Sequence, residues 1–323
     1  MIFSQNTFWR WSFYGIYALL LMALLLYLRF PTQKFKTFST QRVSQHFSGY
    51  ECSIESLRYQ FPLTLVANTL RLQANNQTAK GRSSDGATPG ATETAPGKRG
   101  EAKTPVPASD LEVQKATISP ILTGWGKTFS LSITAYGGTH RAILELDRPR
   151  KTFTLSKIEI NGLDLAKLSW LKAQTGRSIT GLLTVQGSYS GQSGQDISRG
   201  TGQGTAHFKN GTFELLYPIF SLTKMDVESG EALIKLHEQK MVLTKGKFSG
   251  KELEGTFSGQ IDPQGANLAA MQLNVTGSLA PMPALVKKSG QAQPILQQLQ
   301  KNHSTLPFQL QGTIGKPVFR FDS

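Results

Sequence analysis

A five-residue pattern, apolar–polar–Gly–any–apolar, constrains this chain more than any other feature. It occurs as ITGLL (179–183), VQGSY (185–189), LEGTF (253–257), FSGQI (257–261), VTGSL (275–279) and LQGTI (310–314). Residues two apart on an extended strand share a face, so each glycine lies on the same face as its two apolar neighbours. A glycine there leaves a gap, permits curvature or admits a neighbouring backbone. Simple alternation predicts strands at the same places. Ile179, Leu183, Val185 and Tyr189 oppose Thr180, Thr184, Gln186 and Ser188. Leu253, Phe257 and Ile261 oppose Glu252, Glu254, Thr256, Ser258 and Gln260. Met271, Leu273, Val275 and Leu279 repeat the period, as do Phe308, Leu310 and Ile314. Period two with one polar face is the mark of a half-buried antiparallel sheet.

The expected fold class is therefore mainly β: a curved antiparallel sheet with one apolar, concave face and a few short helices. Leu183, Val185, Leu253, Phe257, Leu273, Val275 and Leu310 are the candidate positions on that face. Asn210-Gly211 predicts a two-residue hairpin turn, and 190–204, rich in Gly, Ser and Gln, a flexible loop. Helical spacing appears near 165–173 and from Pro294 to Lys301, where proline suits a first helical position. Two such helices are too short to cover the face, which must close on itself or on a hydrophobic ligand.

The N-terminus is different. Residues 11–28 carry no charge and are almost wholly apolar. As a helix they would extend roughly 27 Å, near the thickness of a bilayer's hydrocarbon core. Aromatic residues cluster near both ends of the run (Phe8, Trp9, Trp11, Phe13 and Tyr14 near the start, Tyr27 and Phe30 near the end), as interfacial belts do. A cleaved signal peptide is the competing reading, but no A-x-A-like site follows; Arg29-Phe30-Pro31 does. The sequence thus predicts a short segment at 1–10, a transmembrane helix at 11–30, the first strands of the β body at 31–74, a disordered low-complexity insertion at 75–108 and the main β body at 109–323. The insertion is read from composition: it is rich in Gly, Thr, Ala, Pro, Lys and Ser, with Val106 its only large aliphatic residue.

The net charge is +14, yet the basic residues are dispersed and no nucleic-acid-binding motif appears, so no nucleic-acid partner is expected. Contact with an anionic lipid bilayer explains the charge more simply. Cys52 is the only cysteine, which excludes an intramolecular disulfide. The five histidines, His46, His140, His207, His237 and His303, lack metal-ligand spacing. No phosphate-binding loop, nucleophile elbow or zinc-protease motif occurs. A non-enzymatic protein without catalytic residues, metal or cofactor is expected.

Four stretches, taken in order, resemble the type II secretion system protein N (GspN) family within the wider AsmA-like group. They are GYECSIESLRYQFPLTLVANTLRLQ (49–73), ATISPILTGWGKTFSLSITAYGGTH (116–140), INGLDLAKLSWLKAQTGRSITGLLTVQGSYSG (160–191) and LPFQLQGTIGKPVFRF (306–321). The 75–108 insertion departs from the family pattern. The resemblance implies an inner-membrane component of a bacterial type II secretion system, partnered by its other inner-membrane components, with a structural or assembly role in the periplasm. It also implies an alternative, an AsmA-like lipid-binding or lipid-transfer protein of the cell envelope that cradles acyl chains in a hydrophobic groove. Charge around the span argues the other way on orientation. Arg10 precedes it, while Arg29, Lys34, Lys36 and Arg42 follow, which by itself would keep the body in the cytoplasm. The expectation follows the resemblance: single-pass, with the C-terminal body in the periplasm.

Overall fold

The computed structural model describes residues 50–60, 63–74, 111–121, 126–220, 222–263, 268–288, 293–302 and 305–322, together with short helical pieces within 17–41. Runs rich in Val, Ile, Leu, Thr and Phe, alternating with polar residues, form fourteen strands. The first six are β1 (Tyr50–Gln60), β2 (Thr64–Ala74), β3 (Leu111–Pro120), β4 (Thr128–Ala135), β5 (Gly138–Asp147) and β6 (Thr152–Asp164). The next four are β7 (Ile179–Gln192), β8 (Thr201–Ile219), β9 (Leu222–His237) and β10 (Lys240–Ser249). The last are β11 (Leu253–Asp262), β12 (Gln272–Pro281), β13 (Leu306–Thr313) and β14 (Pro317–Phe321). They pair in chain order, each with the strand before and the strand after, in one antiparallel sheet with β1 at one edge and β14 at the other. The expected mainly β, antiparallel architecture is present. The pieces predicted at 31–74 and 109–323 share this sheet, because β2 pairs with β3.

The recurring glycines explain the curvature. Gly246, Phe257, Gly277 and Phe308 stand side by side on β10 to β13. In the adjacent row, Phe248 faces Gly255 and Gly255 faces Leu279. Neighbouring strands lie only about 4.8 Å apart, so two bulky side chains abreast on a concave face would crowd. Alternating glycine with a ring lets each ring lie over its neighbour's bare backbone. A Cβ at Gly277 would come within 2.7 Å of Phe308 Cε1, and one at Gly246 within 2.5 Å of Phe257 Cε2. Gly181 differs. It sits in a β7–β8 bulge, with φ of 125° and the register shifting between Thr180 and Leu182.

Three short α-helices accompany the sheet: α1 (Ser169–Thr175), α2 (Pro283–Lys288) and α3 (Gln293–Lys301). The helical spacing expected near 165–173 becomes a 3-10 turn, Leu165–Lys167, followed by α1. Pro294 lies in the first turn of α3, as expected. Between β12 and β13, α2 and α3 seal one end of the trough. Leu285, Val286 and Leu296 pack there on Leu253, against Phe220, Leu222, Met225 and Phe248.

Several expectations need correction. Asn210-Gly211 is not a hairpin turn; it lies inside the 19-residue strand β8. Asn210 takes a left-handed φ of 51°, and the pairing with β7 slips between Thr180–Thr212 and Leu182–Lys209. A residue pair that tolerates positive φ serves a bulge as readily as a turn. The loop expected at 190–204 is shorter: β7 runs to Gln192 and β8 begins at Thr201, and within the ladder Gly202 faces Tyr189 and Gly204 faces Gly187. The anchor is also corrected. Among the described residues no helix is long and apolar enough to cross a membrane. A span needs about 20 consecutive helical residues, whereas α1, α2 and α3 have 7, 6 and 9. Most of 11–30 lies outside the described residues, as does all of 75–108. The transmembrane-helix component of the fold class, the single-pass inner-membrane topology with a periplasmic body and the anchored secretion-system role that depended on them are not carried forward.

Candidate functional site: an apolar cavity

The curled strands β7 to β14 line a half-open cavity of about 680 Å³. Its floor and walls come from the glycine–aromatic rows: Phe208 on β8, Phe248 on β10, Phe257 on β11, Val275 and Leu279 on β12, and Phe308 and Leu310 on β13. The far end of β8, from Phe213 to Ile219, and Pro317, Val318 and Phe319 of β14 also line it. Phe220, just after β8, packs on Phe321 with ring centroids 5.2 Å apart, which brings two strands that share no ladder together. Phe208 and Phe213 tilt against each other at 5.0 Å.

A clasp joins the β7 end of the wall to β12 and β13. Helix α1 stops at Gly176, whose φ of 67° makes a left-handed cap. Thr175, buried at the last helical position, donates its hydroxyl to the Leu171 carbonyl at 2.7 Å and accepts from the Arg177 N–H at 3.4 Å. Arg177 is thereby aimed across the trough, where its Nη2 donates to the Ile314 carbonyl at 2.5 Å. Beside it, the Leu268 N–H donates to the Gln174 side-chain oxygen at 3.0 Å. The two bonds join segments 137 and 94 residues apart.

Of the seven candidate positions, Leu253, Phe257, Leu273, Val275 and Leu310 line the cavity. Leu183 and Val185 are paired with Phe208 and Ala206, which line it, and so stand one strand outside the enclosed part. From Val185 the apolar face continues outward through Ile160, His140 and Ile133 on β6, β5 and β4. Sequence reasoning missed Arg177 and the β8 end. The run LLYPIF (215–220) was the available signal for the latter: six apolar residues in a row cannot alternate with solvent.

The cavity wall is mostly apolar. Among the described residues, no group of three or more His, Cys, Asp or Glu side chains is placed to hold a metal ion. Four charged residues reach the wall: Arg177, Glu214, Glu231 and Lys247. Desolvation pushes the Arg177 guanidinium below its ordinary value. Comparisons with protein families, curated proteins and solved structures find no match to this chain.

Proposed function

We propose that this protein binds lipid acyl chains in the β7–β14 cavity, as an AsmA-like lipid-binding or lipid-transfer protein would. The half-open, largely apolar cavity carries the reading. At about 680 Å³ it falls within the range of small-ligand sites, ~300–1,000 Å³, and its walls are mostly aliphatic and aromatic. Water in such a space finds few hydrogen-bond partners, so displacing it with hydrocarbon is favourable. The face that continues through Val185 and Ile160 extends the apolar surface beyond the cavity.

The test is photolabelling of the full chain with a hexadecanol analogue carrying a diazirine on its alkyl tail. Label is expected on β12 and β13, at Leu273, Val275 or Leu310. Val275→Lys places an ammonium in the cavity and should remove that label while the far-ultraviolet circular dichroism stays that of a β protein. Labelling spread evenly over the surface, or unchanged in a folded Val275→Lys variant, would sink the lipid-binding reading.

A further inference from the structure

Three of the four charged residues at the cavity wall have evident uses. Glu231 and Lys247 face each other at 4.0 Å, with half or more of each side chain in solvent. Glu214 accepts from the Ser178 N–H at 2.9 Å, and its own N–H donates to the Ser178 carbonyl at 3.0 Å. Arg177 stands apart. Among the described residues no carboxylate lies within ion-pair distance of it. Its Nη2 is used on the Ile314 carbonyl, and its Nε is buried without a hydrogen-bond acceptor.

An arginine is not deprotonated in a protein, so burial leaves a charged, partly satisfied fork at an apolar wall. A desolvated cation without an anion is costly, and structures normally supply the partner. No described side chain supplies it. The fork is also held in place rather than left to wander, because Thr175 fixes the backbone on both sides and Ile314 holds one nitrogen. Such preorganisation is what an anion site needs.

We propose that Arg177 receives the anionic head of a single-chain amphiphile whose alkyl tail lies along Leu273, Val275 and Leu310. The proposal rests on the lipid-binding reading above and adds the head-group chemistry. Carboxylate and phosphate-monoester heads share it. A free anion is the weaker candidate: Glu214 at the same wall repels any anion that brings no apolar tail to bury.

The experiment uses the full chain and the tail-labelled hexadecanol analogue as the displaceable probe. Hexadecanoate, hexadecanamide and acetate compete for its site. Hexadecanoate is expected to displace the probe at about one-tenth of the concentration hexadecanamide needs, the ratio a charge-assisted bond gives over a neutral one; acetate should displace nothing. Arg177→Gln should bring the two hexadecyl competitors level against whatever probe labelling it retains, and Arg177→Lys should restore part of the preference. Equal competition by carboxylate and amide on the unmodified chain overturns the Arg177 assignment but leaves the lipid reading standing. Displacement by acetate alone overturns it in favour of a free-anion site. Failure of every hexadecyl compound, the probe included, overturns both readings. The comparison on the unmodified chain decides the matter even if Arg177→Gln does not fold.

Discussion

The strands β1–β6 and β7–β14 belong to one ladder and follow one alternation, yet the cavity is built by the second set. Hydrophobicity does not separate them: Phe129, Leu144 and Leu155 stand abreast on β4 to β6 much as Val275 and Leu310 do on β12 and β13. Glycine does. Within β1–β6 it appears at Gly138, the first residue of β5, and at Gly162, third from last in β6. Within β7–β14 it recurs through strand interiors opposite rings or branched chains. Both sets bury some apolar residues, Ile54, Val66 and Ala135 in the first and Leu253, Val275, Leu279 and Phe308 in the second, but the buried residues that line the cavity come from the second. The lesson is that enclosure depends on where side chains are absent from the inner face. Apolar alternation sets which face turns inward, and missing Cβ atoms set how far the sheet turns.

The comparison can be broken most directly at the sealed end. Leu253→Ala or Leu285→Ala, at 2% and 0% exposure, should cost about 3 kcal/mol in a urea melt, whereas half-buried Leu131→Ala on β4 should cost about 1 kcal/mol. Equal losses would mean that the two sets are packed alike. The glycine rows come next. Gly277→Val drives a side chain into the Phe308 ring and the Thr256 carbonyl, at about 1–3 kcal/mol. Gly230→Ala is its control: the nearest atom to its new Cβ is 3.5 Å away, so the change should stay within about 0.5 kcal/mol. A harmless Gly277→Val would remove the argument that these glycines carry the curvature.

Much of this was legible in the sequence because period two and recurring glycine are local signals, readable without knowing which strand lies beside which. The faces of β7, β11, β12 and β13 were readable for that reason, and so was α3 with its early Pro294. What was not legible depends on pairs distant in the chain. Arg177 looked like one more dispersed basic residue, since its meaning comes from Ile314, 137 positions away. Asn210-Gly211 was misread because one backbone geometry serves two structures, and the long pairing of β8 with β9 decided between them. Helix α2 is a single short run, and its burial becomes visible once Leu285 meets Leu253. Leu183 and Val185 stand one strand outside the cavity, because how far it reaches is a property of the whole curled sheet.

The smallest effect sharpens the boundary between the two sets. Cys52 on β1 is buried, and desolvation pushes its thiol up from the ordinary value. Its protonated form is favoured by folding, so this contribution is full below the unfolded thiol's pKa and fades as pH rises through the higher folded value. Alkylation of Cys52 at neutral pH should be slow and should accelerate with added alkali. If β1–β6 open independently, Gly277→Val should change that rate by less than about twofold despite its cost to β12. A rate that rises in step with the global destabilisation would show that one cooperative unit spans both sets.

The chain-order ladder also has a consequence for how the molecule comes into being. Each strand's partner is the strand synthesised just before it, so pairing advances in chain order, with short loops to close at most steps and longer ones between β2 and β3 and between β12 and β13. The floor of the trough is therefore zipped from one end to the other. The Arg177–Ile314 bond is the exception. It joins residues 137 apart and has nothing to hold until β13 is in place. Contacts that cross the trough, this bond and the Phe220–Phe321 packing among them, thus form late, after the strands they join.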